Sequence, residues 1–275
     1  MDSLNFDRAS FDGMASTYDE VRPGYGRELY DFIDSTKPFS ERSLILEVGS
    51  GSGIATEEIA DRWNPGIVAL EPGKNLRAAA RKRLGGRGKI ELVASTFEDY
   101  DGGGRRFDAI FSATAFHWVD PAVKYRKAFE LLSDDGFLVL YWNNFGIADD
   151  GVAKAMDALY REYGMSQDGG TARERQAGNI ARRRKEIDES GFFAVARSGL
   201  FRNRFTYTTQ RYLGLLGTFS DHSKAKIPDI ESFYADVTRL LDTGGGSIEV
   251  EIAVSLEMAR KVSSGRAGHL RDLDD

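Results

Sequence analysis

No cysteine occurs among the 275 residues. Disulfides, cysteine-ligated zinc, thiolate nucleophiles and iron–sulfur clusters are excluded together. Histidine is scarce, with three scattered copies, so no metal is expected as a cofactor. No run of 18 apolar residues occurs, and the chain opens Met1-Asp2-Ser3-Leu4-Asn5-Phe6, acidic and polar rather than basic and then apolar. We therefore expect a soluble, cytoplasmic protein with no membrane partner. An excess of positive charge is also missing. The 37 Lys and Arg against 43 Asp and Glu leave a net charge of −6, the wrong sign for a polyanion binder, and no nucleic-acid partner is expected.

What is present is an alternation. Residues 43–49 form a short apolar run ended by Gly49-Ser50-Gly51-Ser52-Gly53, which reads as a buried strand and its turn. Residues 54–63 follow as a helix, with Ile54, Ile59, Ala60 and Trp63 on one face. A second strand over 67–71 stops at Pro72-Gly73, and residues 74–84 make a basic amphipathic helix closed by Gly85-Gly86. Further strands are expected at 89–94, 107–113 and 136–142. A helix over 121–132, with Pro121 in its first turn, separates the last two. Strand and helix in turn predict an α/β fold: a mostly parallel sheet, helices on both faces, and strand ends gathered along one ligand-binding edge.

The second half is less regular. Val152, Met156, Leu159, Tyr160 and Tyr163 mark a helical stripe, and residues 178–190 are basic with a helical period. Within them Arg182-Arg183-Arg184-Lys185 reads as a solvated face. Residues 195–209 read as one long strand or a strand pair, 212–219 and 230–241 as helices, and 248–254 as an alternating strand. The polar tail from Ser263 is expected to fray.

The strongest chemical signal is Glu47-Val48-Gly49-Ser50-Gly51-Ser52-Gly53, placed between a strand and its helix. Glycines at spacing two allow a tight turn and let a ligand reach the backbone, where helix N-terminal amides point at it. A dinucleotide fingerprint would need glycine where Ile54 stands. Glu71, at the end of the second strand, suits a ribose diol. Together these features argue for a nucleoside-containing ligand without choosing among nucleosides.

Glu47 to Gly53 with Glu71 resembles the cofactor motifs of class I S-adenosylmethionine-dependent methyltransferases. Val93-Ala94-Ser95-Thr96-Phe97-Glu98-Asp99 is similar to that family's adenine loop, residues 107–118 to its fourth-strand segment, and residues 131–140 to the lead into its fifth strand. Tyr18-Asp19-Glu20-Val21-Arg22-Pro23-Gly24-Tyr25 resembles the N-terminal lid of small-molecule members, and His117-Trp118 is most similar to the trans-aconitate-type branch. The resemblance covers residues 11–142. It implies a Rossmann-like, mostly parallel seven-stranded sheet with an antiparallel late strand and a helical cap. It also implies one domain over 1–275, with a lid at 1–36, a cofactor-binding half at 37–145, and cap insertions and C-terminal strands at 146–275.

Its cofactor would be S-adenosylmethionine, leaving S-adenosylhomocysteine. Gly49, Ser50, Gly51 and Gly53 would lie against the methionine and ribose. Glu47 would orient the amino end, Glu71 and the neighbouring Pro72 would flank the ribose, and Thr96, Phe97 and Glu98 would border the adenine. Ser112 and Ala113 would offer backbone groups beside the methionine, with Tyr18 and Arg22 folding over the cofactor. Tyr25, Trp118, Trp142, Tyr207 and His222 would face the acceptor, a small organic molecule. His117, the candidate catalytic residue, has an ordinary pKa near working pH. It reads either as a general base or as a residue that shapes the pocket beside Trp118.

Where amino-methylating DNA enzymes of this family share an Asp/Asn-Pro-Pro-aromatic segment, this chain has none, and without cysteine the covalent route to cytosine C5 is closed. Two rivals stay open at this stage: a cofactor-binding regulatory protein without transfer activity, and a nicotinamide-dependent oxidoreductase, which Ile54 disfavours.

Overall fold

The computed structural model describes residues 21–165, 172–219, 221–222 and 226–262. Tyr18 and the tail from Ser263 lie outside the described residues. β1 (Leu44–Val48) pairs in parallel with β2 (Gly66–Leu70) on one side and β4 (Phe107–Ala113) on the other. β2 pairs in parallel with β3 (Ile90–Val93), and β4 with β5 (Leu132–Ile147). β6 (Phe193–Thr208) and β7 (Ser247–Lys261) complete the order β3-β2-β1-β4-β5-β7-β6. The order reverses between β1 and β4, so the crevice beyond their carboxyl ends is a topological switch point.

β7 is antiparallel, as the sequence led us to expect. Ala148 N bonds Glu249 O and Asn144 Nδ2 bonds Ala253 O, so numbers fall along β5 as they rise along β7. The late strands are longer than the sequence pattern. β5 starts at Leu132 because Ser133 to Gly136, which reads as a turn, is carried as an irregularity between the Phe107–Leu132 and Ala109–Phe137 pairs.

The chain divides into two compact units. The first contains residues 24–143, 177–201 and 254 onward. Its helices include α1 (Arg27–Asp34), α2 (Ile54–Trp63), α3 (Lys74–Leu84) and α4 (Lys124–Leu131). α4 starts later than Pro121 because Asp120 closes a turn first, its carboxylate taking Ala122 N and its carbonyl Lys124 N. Strand alternation sorts this core into two clusters. Ile45, Phe111, Val139 and Tyr141 pack in one, and Leu46, Ile110, Leu140 and Trp142 in the other. Tyr25, Leu29, Tyr30 and Ile33, which the resemblance assigned to a lid, belong to the first cluster.

The second unit contains residues up to 23, 144–176 and 202–253. It includes α5 (Asp150–Glu162), α7 (Thr209–Gly217) and α8 (Ile230–Thr243), and α6 (Ala172–Glu189) begins there before running on into residues 177–189 of the first unit. Met156, Tyr160, Leu215, Leu216, Phe233 and Val237 join Val250 and Ile252 in its core. Asp149 caps α5, accepting a hydrogen bond from Val152 N at 2.8 Å. No helix among the described residues is long and apolar enough to cross a membrane.

Candidate active site

The glycine turn is tied to the neighbouring strand. Gly49 N and Ser50 N both donate to Leu70 O, and Gly53 N donates to Ser50 O before α2 begins. Gly49 and Gly51 have φ of 71° and 57°, but they are glycine for different spatial reasons. A Cβ at Gly49 would sit 2.4 Å from Ala115 Cβ, whereas one at Gly51 would meet nothing within 4 Å. The first glycine admits the loop after β4, and the second faces open space. Glu71 braces the turn: its Oε2 accepts from Gly51 N at 2.9 Å and its Oε1 from Gly73 N at 2.7 Å. Pro72 is exposed, and its carbonyl takes Arg77 Nη1.

Beneath the turn lies a group of acids with little positive charge to answer them. Glu47 is 1% exposed on the Ile45 face of β1. Its Oε2 accepts from Thr56 Oγ1 at 2.6 Å, while its Oε1 has no hydrogen-bond partner among the described residues. Burial raises its pKa to about 7, and the charges of Glu71 and Glu58 push the same way. Glu58, a residue of α2 that the sequence did not single out, pins the segment before α1. It accepts from Tyr25 N at 3.1 Å and Tyr30 Oη at 2.9 Å, and burial raises its pKa too. Thr96 and Glu98 are bonded within their own surroundings, Thr96 Oγ1 to Asp99 and Glu98 Oε1 to Asp120 N. Phe97 is core, packed 6.2 Å from Phe116.

β4 delivers the opposite wall. Ser112 Oγ donates to Val48 O at 2.9 Å, so its side chain secures the end of β1. Ser112 and Ala113 hold register with Leu140 and Tyr141. Thr114 then takes φ 56°, which for a β-branched residue is a strained conformation, and such strain gathers at functional sites. Its Oγ1 accepts from Asn143 N at 3.2 Å and lies 3.4 Å from Tyr25 Oη. Nothing in the sequence pointed to Thr114. Tyr25 is buried edge-on to Tyr141, with ring centroids 4.7 Å apart.

His117 follows in a single 3₁₀ turn (Phe116–Trp118), its ring 4.7 Å from that of Trp118. Its pKa is not near working pH, as the sequence suggested. The side chain keeps an exposed face, yet the dense protein around it, followed by the positive charges of Arg183, Lys124 and Arg182, lowers it to about 4. The buried Trp142 donates its Nε1 hydrogen to His117 Nδ1 at 3.3 Å. An indole can only donate, so Nδ1 is the acceptor and the neutral ring carries its hydrogen on Nε2.

Arg22, Tyr207 and His222 lie in the other unit. Arg22 spends its fork on Thr218 (Nε to Oγ1 and Nη2 to O, both 3.0 Å) and sits over the rings of Phe145 and Phe219. Tyr207 is wholly buried, with its hydroxyl donated to Val21 O, and among the described residues it lines no open site. His222 is buried between Tyr160 Oη and Asp221. Aromatic and polar residues inside a core need internal partners, and these have them.

The basic run also needs correcting. Arg184 pairs with the buried Glu257 at 2.8 Å and Arg183 turns inward, so only part of it is a solvated face. The physical reason is position: Arg183 falls on the inward stripe of α6 between Ile180 and Ile187.

A model of the methyltransferase domain matches residues 46–140, which carry the glycine turn, Glu71 and His117. Residues 46–140 thus form a methyltransferase domain, similar to those of the class I S-adenosylmethionine-dependent methyltransferases. S-adenosylmethionine is this family's cofactor. A Dictyostelium discoideum protein provisionally named a methyltransferase is 30% identical over 48% of this chain and 48% of its own length. Malonyl-[acyl-carrier protein] O-methyltransferase 1 of Ilyobacter polytropus is 28% identical over 46% of this chain and 48% of its own. The matches span about half the length of these curated relatives. A solved structure from Anaeromyxobacter dehalogenans, provisionally described as a type II methyltransferase, has a TM-score of 0.63 at 19% identity. It covers 87% of this chain and 97% of its own, a likeness of fold.

Proposed function

We propose that this methyltransferase transfers the methyl group of S-adenosylmethionine to a small organic acceptor. The observation that carries the reading is Glu47, a buried carboxylate whose Oε1 has no partner, beneath a glycine turn that opens onto empty space at Gly51. A ligand bearing an ammonium and a sulfonium answers that charge, and its approach to the backbone needs the room that Gly51 leaves. Glu47 then holds the amino end and Glu71 the ribose hydroxyls. Thr96 and Glu98 border the adenine, with Phe97 supporting their loop from the core. Bound S-adenosylmethionine supplies a methyl group already activated on sulfur, so alignment and exclusion of water are the protein's main contributions.

His117 offers Nε2–H to an acceptor oxygen from beside Trp118 and Trp142. That suits a carboxylate, which is ionised before it arrives and needs no base. The name of the Ilyobacter relative, an O-methyltransferase acting on a malonyl group, supports such an acceptor. Incubation with methyl-labelled S-adenosylmethionine and a metabolite extract is expected to place label in the small-molecule fraction. Label entering DNA, RNA or bulk protein at a matching rate would overturn the acceptor class. Binding of S-adenosylhomocysteine without any turnover would return the regulatory reading.

Glu47 makes affinity depend on pH. Its carboxyl is half protonated near pH 7 in the folded protein, and an ammonium pairs only with the ionised form. Below that pKa each bound ligand must first displace a proton, so S-adenosylhomocysteine affinity should fall by up to about tenfold per pH unit. Above it, affinity should level off. Titration calorimetry across this range checks the slope, which Glu47→Gln should flatten. A slope unchanged in Glu47→Gln would assign the proton to another group.

A further inference from the structure

Arg183 is a half-buried guanidinium with no ion-pair partner among the described residues. It lies on α6 with its Cζ 4.1 Å from the centroid of the Trp142 ring, and its Nη1 reaches Ser255 Oγ at 3.4 Å. No carboxylate among the described residues stands within ion-pairing distance of it. The two acids of the neighbourhood are taken: Glu257 by Arg184 and Ser198, and Glu186 by Lys124. Arg182 adds a like charge from the next position, its Nη2 bonded only to Asn179. Burial, with Arg182 adding to it, lowers the Arg183 pKa to about 10, and the more distant charges of Glu257 and Glu186 offset this only in part.

The same Trp142 joins this arginine to the site. Its ring face carries Arg183 and its Nε1 edge holds His117, so both donors stand around one indole within β5. His117 follows the loop whose Ala115 abuts Gly49 of the cofactor turn. A guanidinium held over an aromatic ring, with only one of its nitrogens engaged by Ser255, offers its remaining N–H groups to a carboxylate. Leaving such a charge half-buried and unpaired costs stability, and an apolar residue at this stripe position would avoid that cost. The arrangement is understandable if the counter-ion arrives from outside.

We propose that Arg183, stacked on Trp142 beside His117, binds a carboxylate of the acceptor and thereby selects acidic acceptors. This rests on the transferase reading given above, and its test separates the two. The probes are shape-matched acid and amide pairs, glutarate with glutaramide and benzoate with benzamide. They are titrated into protein with and without S-adenosylhomocysteine and followed by ligand-observed NMR. A carboxylate should bind about tenfold more tightly than its amide, the fold-change of one charge-assisted hydrogen bond.

Arg183→Met should erase that preference while holding or raising the melting temperature and keeping the S-adenosylhomocysteine affinity. Arg182→Met, an equal change of charge at an exposed neighbour, should keep the preference. Arg183→Lys, which retains the charge without the planar fork, should keep part of it. Equal binding of acid and amide, or an equal loss in Arg182→Met, would overturn the site. So would a fall in stability in Arg183→Met with the acid preference intact, which would make the arginine a structural brace. Failure of the wild type to bind S-adenosylhomocysteine strikes the cofactor reading instead, and the measurements without it still decide Arg183.

Discussion

Gly51→Val is expected to give a folded protein that has lost S-adenosylhomocysteine binding by about 100-fold or more, from a wild-type affinity of micromolar order (about −8 kcal/mol). A side chain at Gly51 meets no protein atom within 4 Å, so the valine enters the ligand's space rather than the core. The cost to the fold is the φ of 57°, about 1–3 kcal/mol for a branched residue, against a total stability of about 5–15 kcal/mol. Gly49→Val provides the contrast. Its Cβ would press on Ala115, so that variant should lose thermal stability and displace the loop carrying His117. Calorimetry and a thermal melt on both proteins separate ligand space from packing. Unchanged affinity in folded Gly51→Val would remove the turn from the cofactor site. NADH is expected to bind the wild type far more weakly than S-adenosylhomocysteine.

His117→Asn should raise the acceptor KM by about tenfold or more and leave kcat nearly intact, through one lost hydrogen bond to a charged acceptor. With S-adenosylmethionine saturating, so that the Glu47 dependence is removed, the acid limb that an ordinary histidine gives near pH 6.5 should be missing from the wild-type profile for the acceptor, because this ring stays neutral down to about pH 4. Both points follow from its surroundings. Trp142 occupies Nδ1, and the remaining nitrogen carries a hydrogen and has no lone pair with which to act as a base. Were His117 the base for a hydroxyl or amine acceptor, the same substitution would cost about 10²–10⁴-fold in kcat. A steep kcat loss at constant KM, with a shifted pH profile, would establish that mechanism and refute ours. Trp142→Phe supplies an independent check. It frees Nδ1, allows the other tautomer, and should reproduce part of the KM effect without touching His117.

Several elements at the cofactor end were legible because their signals are local. The strand before Gly49, the helix over Ile54–Trp63 and Glu71 at the end of β2 follow from side-chain period and from glycines that no other residue replaces at such turns. The late strand was legible from its alternation, and its antiparallel sense from the family resemblance. Its length was not, because pairing with β5 and β6 extends it to Lys261.

At the acceptor end, residue type misled. Tyr207 and His222 are aromatic and polar, which suits a pocket, but each is buried with its polar atom matched inside the other unit. Arg183 sat in a basic run that reads as solvent-facing, and only its phase between Ile180 and Ile187 hinted otherwise.

The sequence by itself determined the α/β alternation, the glycine turn and the acids placed to meet a cofactor there. Each of these depends on residues a few positions apart, where backbone sterics and side-chain period act directly. Only the tertiary structure decided the tautomer of His117, the strain at Thr114, the anchoring by Glu58 and the placement of Arg183 against Trp142. Those properties come from groups far apart in the chain that meet in a medium of low dielectric. There the balance of desolvation, neighbouring charge and hydrogen bonding sets which form of a side chain exists.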